Sequence, residues 1–174
     1  MYRPAFLILS ALFILLVDSA GWSASTCHAE AVQKLKIANA PSIKLVVNHL
    51  GEECGRGAIL ARGYDPKGEL VLVYAVAAKP RQMFHDVDPN HAAVQQLITN
   101  FARVRSGKDL PPIQPKMETQ AGRAIYDISN PDLYEYARIN GSSLICLPLY
   151  YEGSRCFVAT QDNSLYKPTF SEGL

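Results

Sequence analysis

The densest group of chemically capable side chains runs from Gln82 to His91, QMFHDVDPNH. Two metal chemistries suit it in part. Asp86, Asp88 and Asn90 match the first three ligand positions of a calcium loop of the D-x-[DN]-x-[DN]-G kind. The match stops at His91, where glycine must make the sharp turn, and at Leu97, where a bidentate glutamate belongs. His85, Asp88 and His91 stand three apart and offer imidazole and carboxylate, ligands that suit zinc or copper. They do not share one helix face, because His85 precedes the helix expected here and His91 falls in its first turn. These three are weak metal candidates, and no cofactor is expected.

A plainer reading covers most of the stretch. Asp88 is a good helix N-cap, Pro89 suits the first helical position, and Asn90 is tolerated in the first turn. The same device recurs at Asn130-Pro131-Asp132, where no histidine is present. The recurrence accounts for Asp88. His85 and His91 are left to meet whatever the chain brings from elsewhere.

Other catalytic patterns are fragmentary. Ser164-Leu165-Tyr166-Lys167 has the S-x-x-K spacing but neither a following helix nor the companion motifs. Gly51 to Gly57, GEECGRG, has glycines without the G-K-[ST] that holds a phosphate. Glu52 and Glu53 read as solvated carboxylates, and His28 and His49 have no local acidic partner. No catalytic residue is assigned, and the reading leans away from an enzyme. Tyrosine is the remaining clue: Tyr126, Tyr134, Tyr136, Tyr150 and Tyr151 combine contact area with a polar handle. That suits a ligand pocket or a partner surface, although half-buried structural tyrosines look the same.

What must position these groups begins with a leader. Arg3 precedes the apolar run Ala5 to Val17, in which Ser10 is the only polar residue, and the small residues Ser19 to Ser25 follow. This is a signal peptide over residues 1–25, with Ser23 and Ser25 at the −3 and −1 positions; cleavage after Gly21 or Ser23 also fits. A spanning helix needs roughly 20 apolar residues, and Asp18 ends this run too early. Residues 26–174 are then one exported domain, periplasmic or extracellular, with no stable membrane insertion after cleavage. A net charge of +1, without basic or acidic blocks, argues against nucleic-acid partners.

Cys27, Cys54, Cys146 and Cys156 all follow the leader, and an even count in an oxidising compartment favours two disulfides. With Glu152-Gly153-Ser154 as a three-residue turn, Cys156 lies roughly 14 Å along the strand from the position opposite Cys146. Disulfide Cα atoms lie within about 7 Å, so that pairing is disfavoured. Two schemes then remain, Cys54 with Cys156 and Cys27 with Cys146, or Cys27 with Cys156 and Cys54 with Cys146; docking of the second hairpin beside the first strand of the first would give the former.

The elements read as follows. Cys27 to Ala38 has apolar residues at three-residue steps and reads as a helix. Ile43, Val46, Val47 and Leu50 give a second short helix, although their β-branched members also suit a strand. Ala58 to Ala78 is a hairpin about Asp65-Pro66-Lys67-Gly68, a type I turn with a glycine bulge. Its second strand is apolar on both faces and is expected at the centre of a sheet. A helix follows to about Arg105, then a loop over 108–118, a short strand near Ala124 to Ile128, and a helix from Asn130-Pro131 to Asn140-Gly141. Ser143 to Gln161 is a second hairpin, with Pro148 at an edge or bulge. The tail after Asp162 reads as loosely held.

The expected fold is α+β: one four-stranded antiparallel sheet from two hairpins, with helices on one face. In order of elements this loosely resembles PAS or Cache-type sensor domains. The expected function is an exported, non-enzymatic binding protein holding a small ligand in an apolar, tyrosine-lined pocket. Behind it stand an envelope or secreted protein-interaction module and then a small metal-dependent hydrolase.

Overall fold

The computed structural model of the chain describes residues 27–38, 40–78, 90–113, 125–149, 153–160 and 165–173. Residues 1–26, read as the leader and its border, lie outside them, as do His85, Asp86 and Asp88. The mixed α+β class holds, but strands dominate, and there are two antiparallel sheets rather than one. The two hairpins fall in different sheets, so the PAS-like element order does not carry over to a single sheet.

The first sheet is a meander of β1 (Ala29–Leu35), β2 (Ile43–Leu50), β3 (Gly57–Tyr64) and β4 (Leu70–Ala78), in that spatial order. The two segments read as helices are therefore β1 and β2. Apolar residues at i, i+3, i+4 and i+7 also occur in a strand when both of its faces carry some. The decisive set is the period-two row Ile43, Leu45, Val47, His49, all buried. The β3–β4 turn forms as expected: Gly68 has φ +87°, and its N–H reaches the Asp65 carbonyl at 3.0 Å. The Asp65 carboxylate accepts from Lys67 and Glu69 N–H groups. β4 lies at the edge of this sheet, not its centre. Its outward residues Val73, Ala75 and Ala77 are apolar yet exposed.

Helix α1 (His91–Thr99) is shorter than its apolar stripe implies. Asn90 is its N-cap, accepting from Ala93 N–H at 2.9 Å, so Asp88 is not the cap and Pro89 precedes it. The helix ends at Asn100, and Phe101 turns into the core. Val104 belongs to a strand, β5 (Arg103–Ser106), where pairing with a distant segment overrides helical periodicity. A 3-10 turn (Gly107–Asp109), β6 (Ile125–Ile128) and helix α2 (Pro131–Asn140) follow. The expected caps of α2 are present: Asn130 accepts from Leu133 N–H, and Gly141 closes the helix at φ +62°.

β7 (Ser143–Pro148), β8 (Ser154–Ala159) and β9 (Tyr166–Gly173) complete a second sheet of order β5-β7-β8-β9-β6. The C-terminal segment is thus an interior strand rather than a loose tail. Phe170 and Thr169 are fully buried, and Pro168 sits beside a register shift opposite Cys156 and Phe157. Pro148 ends β7 beyond the reach of β5, which stops opposite Cys146, so its missing N–H breaks no ladder there.

Two disulfides close, Cys27–Cys54 and Cys146–Cys156. The second is the pairing that a three-residue turn disfavours. Pro148 opposes Ser154, so the connection covers residues 149–153 and sets Cys146 directly across from Cys156, with Cα atoms 4.0 Å apart. Cys54–Cys156 and Cys27–Cys146 do not form.

The layers follow from these registers. The inner face of the first sheet (Leu45, Val47, Ile59, Ala61, Tyr74) packs with Ile145, Leu147 and Phe157 of the second. Val94 and Ile98 of α1 join this core. The far face of the second sheet (Leu144, Cys146, Cys156, Val158, Phe170) packs with Tyr134 and Ala137 of α2. The middle of the second sheet is therefore buried on both faces, and the first sheet on one only.

Candidate functional site

His91 opens α1, but its ring is engaged. Its Nε2 lies 3.1 Å from the His28 carbonyl, which can only accept, so this nitrogen carries the proton. One turn on, Gln95 donates to the Glu30 carbonyl at 3.0 Å. Both carbonyls belong to the outer edge of β1. Gln33 of β1 completes the contact, donating to the Thr99 carbonyl and accepting from Ala102 N–H. Helix α1 thus covers the β1 edge, and His91 is part of that cover. Among the described residues, no three His, Cys, Asp or Glu side chains converge as metal ligands.

His49 carried no signal in its local sequence, yet it is buried among apolar residues. Its Nδ1 is 2.7 Å from the Cys27 carbonyl, which fixes the proton on Nδ1 and leaves Nε2 a buried acceptor without a donor. With the Cys27–Cys54 disulfide and the Cys27 N–H bond to the Glu52 carbonyl, it ties the start of β1 to the β2–β3 connection.

Of the described tyrosines, Tyr74, Tyr134 and Tyr166 serve the core, while Tyr64 and Tyr136 are half-buried outside it. Tyr74 donates to the Pro148 carbonyl at 2.6 Å and meets Phe157 edge-on. Tyr134 donates to the Pro111 carbonyl and packs edge-on to Phe170. Burial pushes the Tyr166 phenol up to about 12. The side chains of Tyr126, Tyr150 and Tyr151 lie outside the described residues.

The surface that remains is the outer face of the first sheet. Register aligns Val32, Val46, Arg62 and Val73 in one row across the four strands. Glu30, Asn48, Leu60 and Ala75 form the next. Val32 is 57% exposed, Val73 55%, and Leu50 and Leu70 48% each. A face with so many solvated apolar side chains is unusual for a free sheet. Through its middle runs a polar chain: Arg62 donates to Asn48 Oδ1 at 2.8 Å, and Asn48 Nδ2 donates to Glu30 at 2.6 Å. The Arg62 Nε–H is buried without an acceptor. At one end Lys34 and Lys44 stand directly opposite each other on β1 and β2, a like-charged pair that disfavours the bare sheet. None of these residues stood out in the sequence. The signal that could have found them is the period-two alternation of Glu30, Val32 and Lys34 against Ala29, Ala31 and Leu35.

No family model, no curated protein and no solved structure matches this chain.

Proposed function

We propose that the protein is an exported, non-enzymatic interaction module that docks a partner protein on the outer face of its four-stranded sheet. The carrying observation is the set of exposed apolar side chains on that face, Val32 of β1, Leu50 of β2, and Leu70 and Val73 of β4. The partner surface that fits is apolar at its centre and carries carboxylates at the border that meets Lys34 and Lys44. Two disulfides accord with an oxidising compartment. The small-ligand pocket draws less support, because Tyr74 and Tyr134 spend their hydroxyls on backbone carbonyls inside the core.

Photo-crosslinkers at Val32 and Val73, with a third at the exposed Ile139 of α2, test this in envelope extracts. One partner should crosslink from both sheet positions and not from Ile139. Lys34→Glu with Lys44→Glu should abolish that product. Crosslinking that is equal at Ile139, or indifferent to the lysine reversal, would refute the docking face.

A further inference from the structure

Sheet edges offer unpaired backbone groups, and proteins blunt them by shortening, covering or charging. Among the described residues, three of the four edges are blunted. β5 and β6 are four residues each. β1 carries Glu30 and Lys34 and lies under α1, whose His91 and Gln95 occupy its carbonyls. β4 is different. It is nine residues long, LVLVYAVAA, without a charge, a proline or a glycine. Among the described residues, no strand or helix pairs with its outer side.

The direction of its free groups follows from the register. His28 and Glu30 turn their carbonyls away from β2. Backbone polarity alternates residue by residue, so Ala29 and Ala31 bond to His49 and Val47. Carried across the sheet, this sets Asn48 and Val46 on Leu60 and Arg62, and Ile59 and Ala61 on Val76 and Tyr74. The outward groups of β4 are then those of Val73, Ala75 and Ala77, whose side chains are exposed.

We propose that two copies of the chain join edge to edge through antiparallel pairing of β4 with β4, forming one continuous eight-stranded sheet. A second copy is favoured over a foreign strand because the pairing is self-complementary. Val73, Ala75 and Ala77 are symmetric about Ala75, so a two-fold axis there sets each outward group against a matching one. No charge on β4 meets a like charge, which self-pairing of β1 would not avoid. The inner rows also continue, with Tyr74 opposite Val76 of the second copy and Leu72 opposite its Ala78. The two-fold axis stands perpendicular to the sheet, so both outer faces point the same way and merge. This goes beyond the docking reading and does not depend on it.

Sedimentation equilibrium on the mature, disulfide-intact chain tests the pairing, with amide hydrogen exchange read across a dilution series. The wild type should dimerise reversibly, and the amides of Val73, Ala75 and Ala77 should gain protection as concentration rises, while that of Val32 does not. Val73→Lys places a charge on the edge, and Ala75→Pro removes an outward N–H that no ladder bond uses. Each should weaken dimerisation at least about tenfold. Val73→Lys should keep the wild-type circular dichroism, and it decides the matter if Ala75→Pro does not fold. A wild type that stays monomeric throughout overturns the proposal. So does a dimer that Val73→Lys leaves intact, or one that forms without protecting the β4 amides. The docking reading has its own readout in the Val32 and Lys34/Lys44 crosslinks, so either can fail alone.

Discussion

The two sheets are built on opposite terms. β7 is buried along nearly its whole length, because one side meets the first sheet and the other meets α2. β1 alternates buried and exposed, because only its inner side meets anything. The second sheet is thus the structural centre, and its strand β7 is constrained at nearly every position. In the first sheet the constraint falls on alternate residues, which leaves the others free of packing. The variants that test this contrast should differ most in stability.

Phe170→Ala should give the largest effect. It empties a fully buried site against Tyr134, at a cost of about 3–5 kcal/mol in urea unfolding. Val32→Ala on the open face should stay within about 0.5 kcal/mol. Equal losses would mean that the outer face is structural after all. The disulfides come next. Opening Cys27–Cys54, with a separation of 27 residues, should remove about 3.5 kcal/mol of chain-entropy stabilisation. Opening Cys146–Cys156, with a separation of 10, should remove about 2.7 kcal/mol. Thermal melts of the paired Cys→Ala variants check that order. Asn130→Ala removes the cap of α2, the layer over the second sheet, and should cost about 1 kcal/mol by the same measurement.

The smallest effect is confined to alkaline solution. Tyr166 lies in the core between the sheets and is harder to ionise folded, at about 12, than unfolded, at about 10. The neutral phenol favours the folded chain, so its contribution is complete below about pH 10 and declines from there to about pH 12. Tyr166→Phe should flatten that part of the melting curve against pH. An unchanged alkaline slope would mean that Tyr166 is not sealed between the sheets.

What could be read beforehand divides along physical lines. Local devices were legible: the Asp65-Pro66-Lys67-Gly68 turn, and the Asn130 and Gly141 caps of α2, need only neighbouring residues. Elements decided by distant partners were not. β5 continues the apolar stripe of α1 through Val104, and only pairing with β7 makes it a strand. β9 looks polar because Lys167, Thr169, Ser171 and Glu172 surround Phe170, and it is ordered by β8 and β6 on either side. The second disulfide was missed by loop length alone: ending β7 at Pro148 shifts the register and brings the cysteines together. Of the opening stretch, Asp88 lost its place as cap to Asn90, and His91 proved to cover an edge. The exposed outer face of the first sheet was illegible because β1 and β2 also fit a helical pattern.

The topology also sets a timetable. β1 to β4 pair only with sequence neighbours, so the first sheet needs short closures. The second must wait for β9 to pair with β6 across the whole of α2, β7 and β8. Since loops of longer span close more slowly, the meander should acquire protected amides first in pulse-labelled exchange. Until the second sheet forms, its oily inner side (Leu45, Val47, Ile59 and Tyr74) is open to water beside an uncharged edge. A newly made chain would then be most prone to aggregate in that interval, and a chaperone would find its target on the half that folds first.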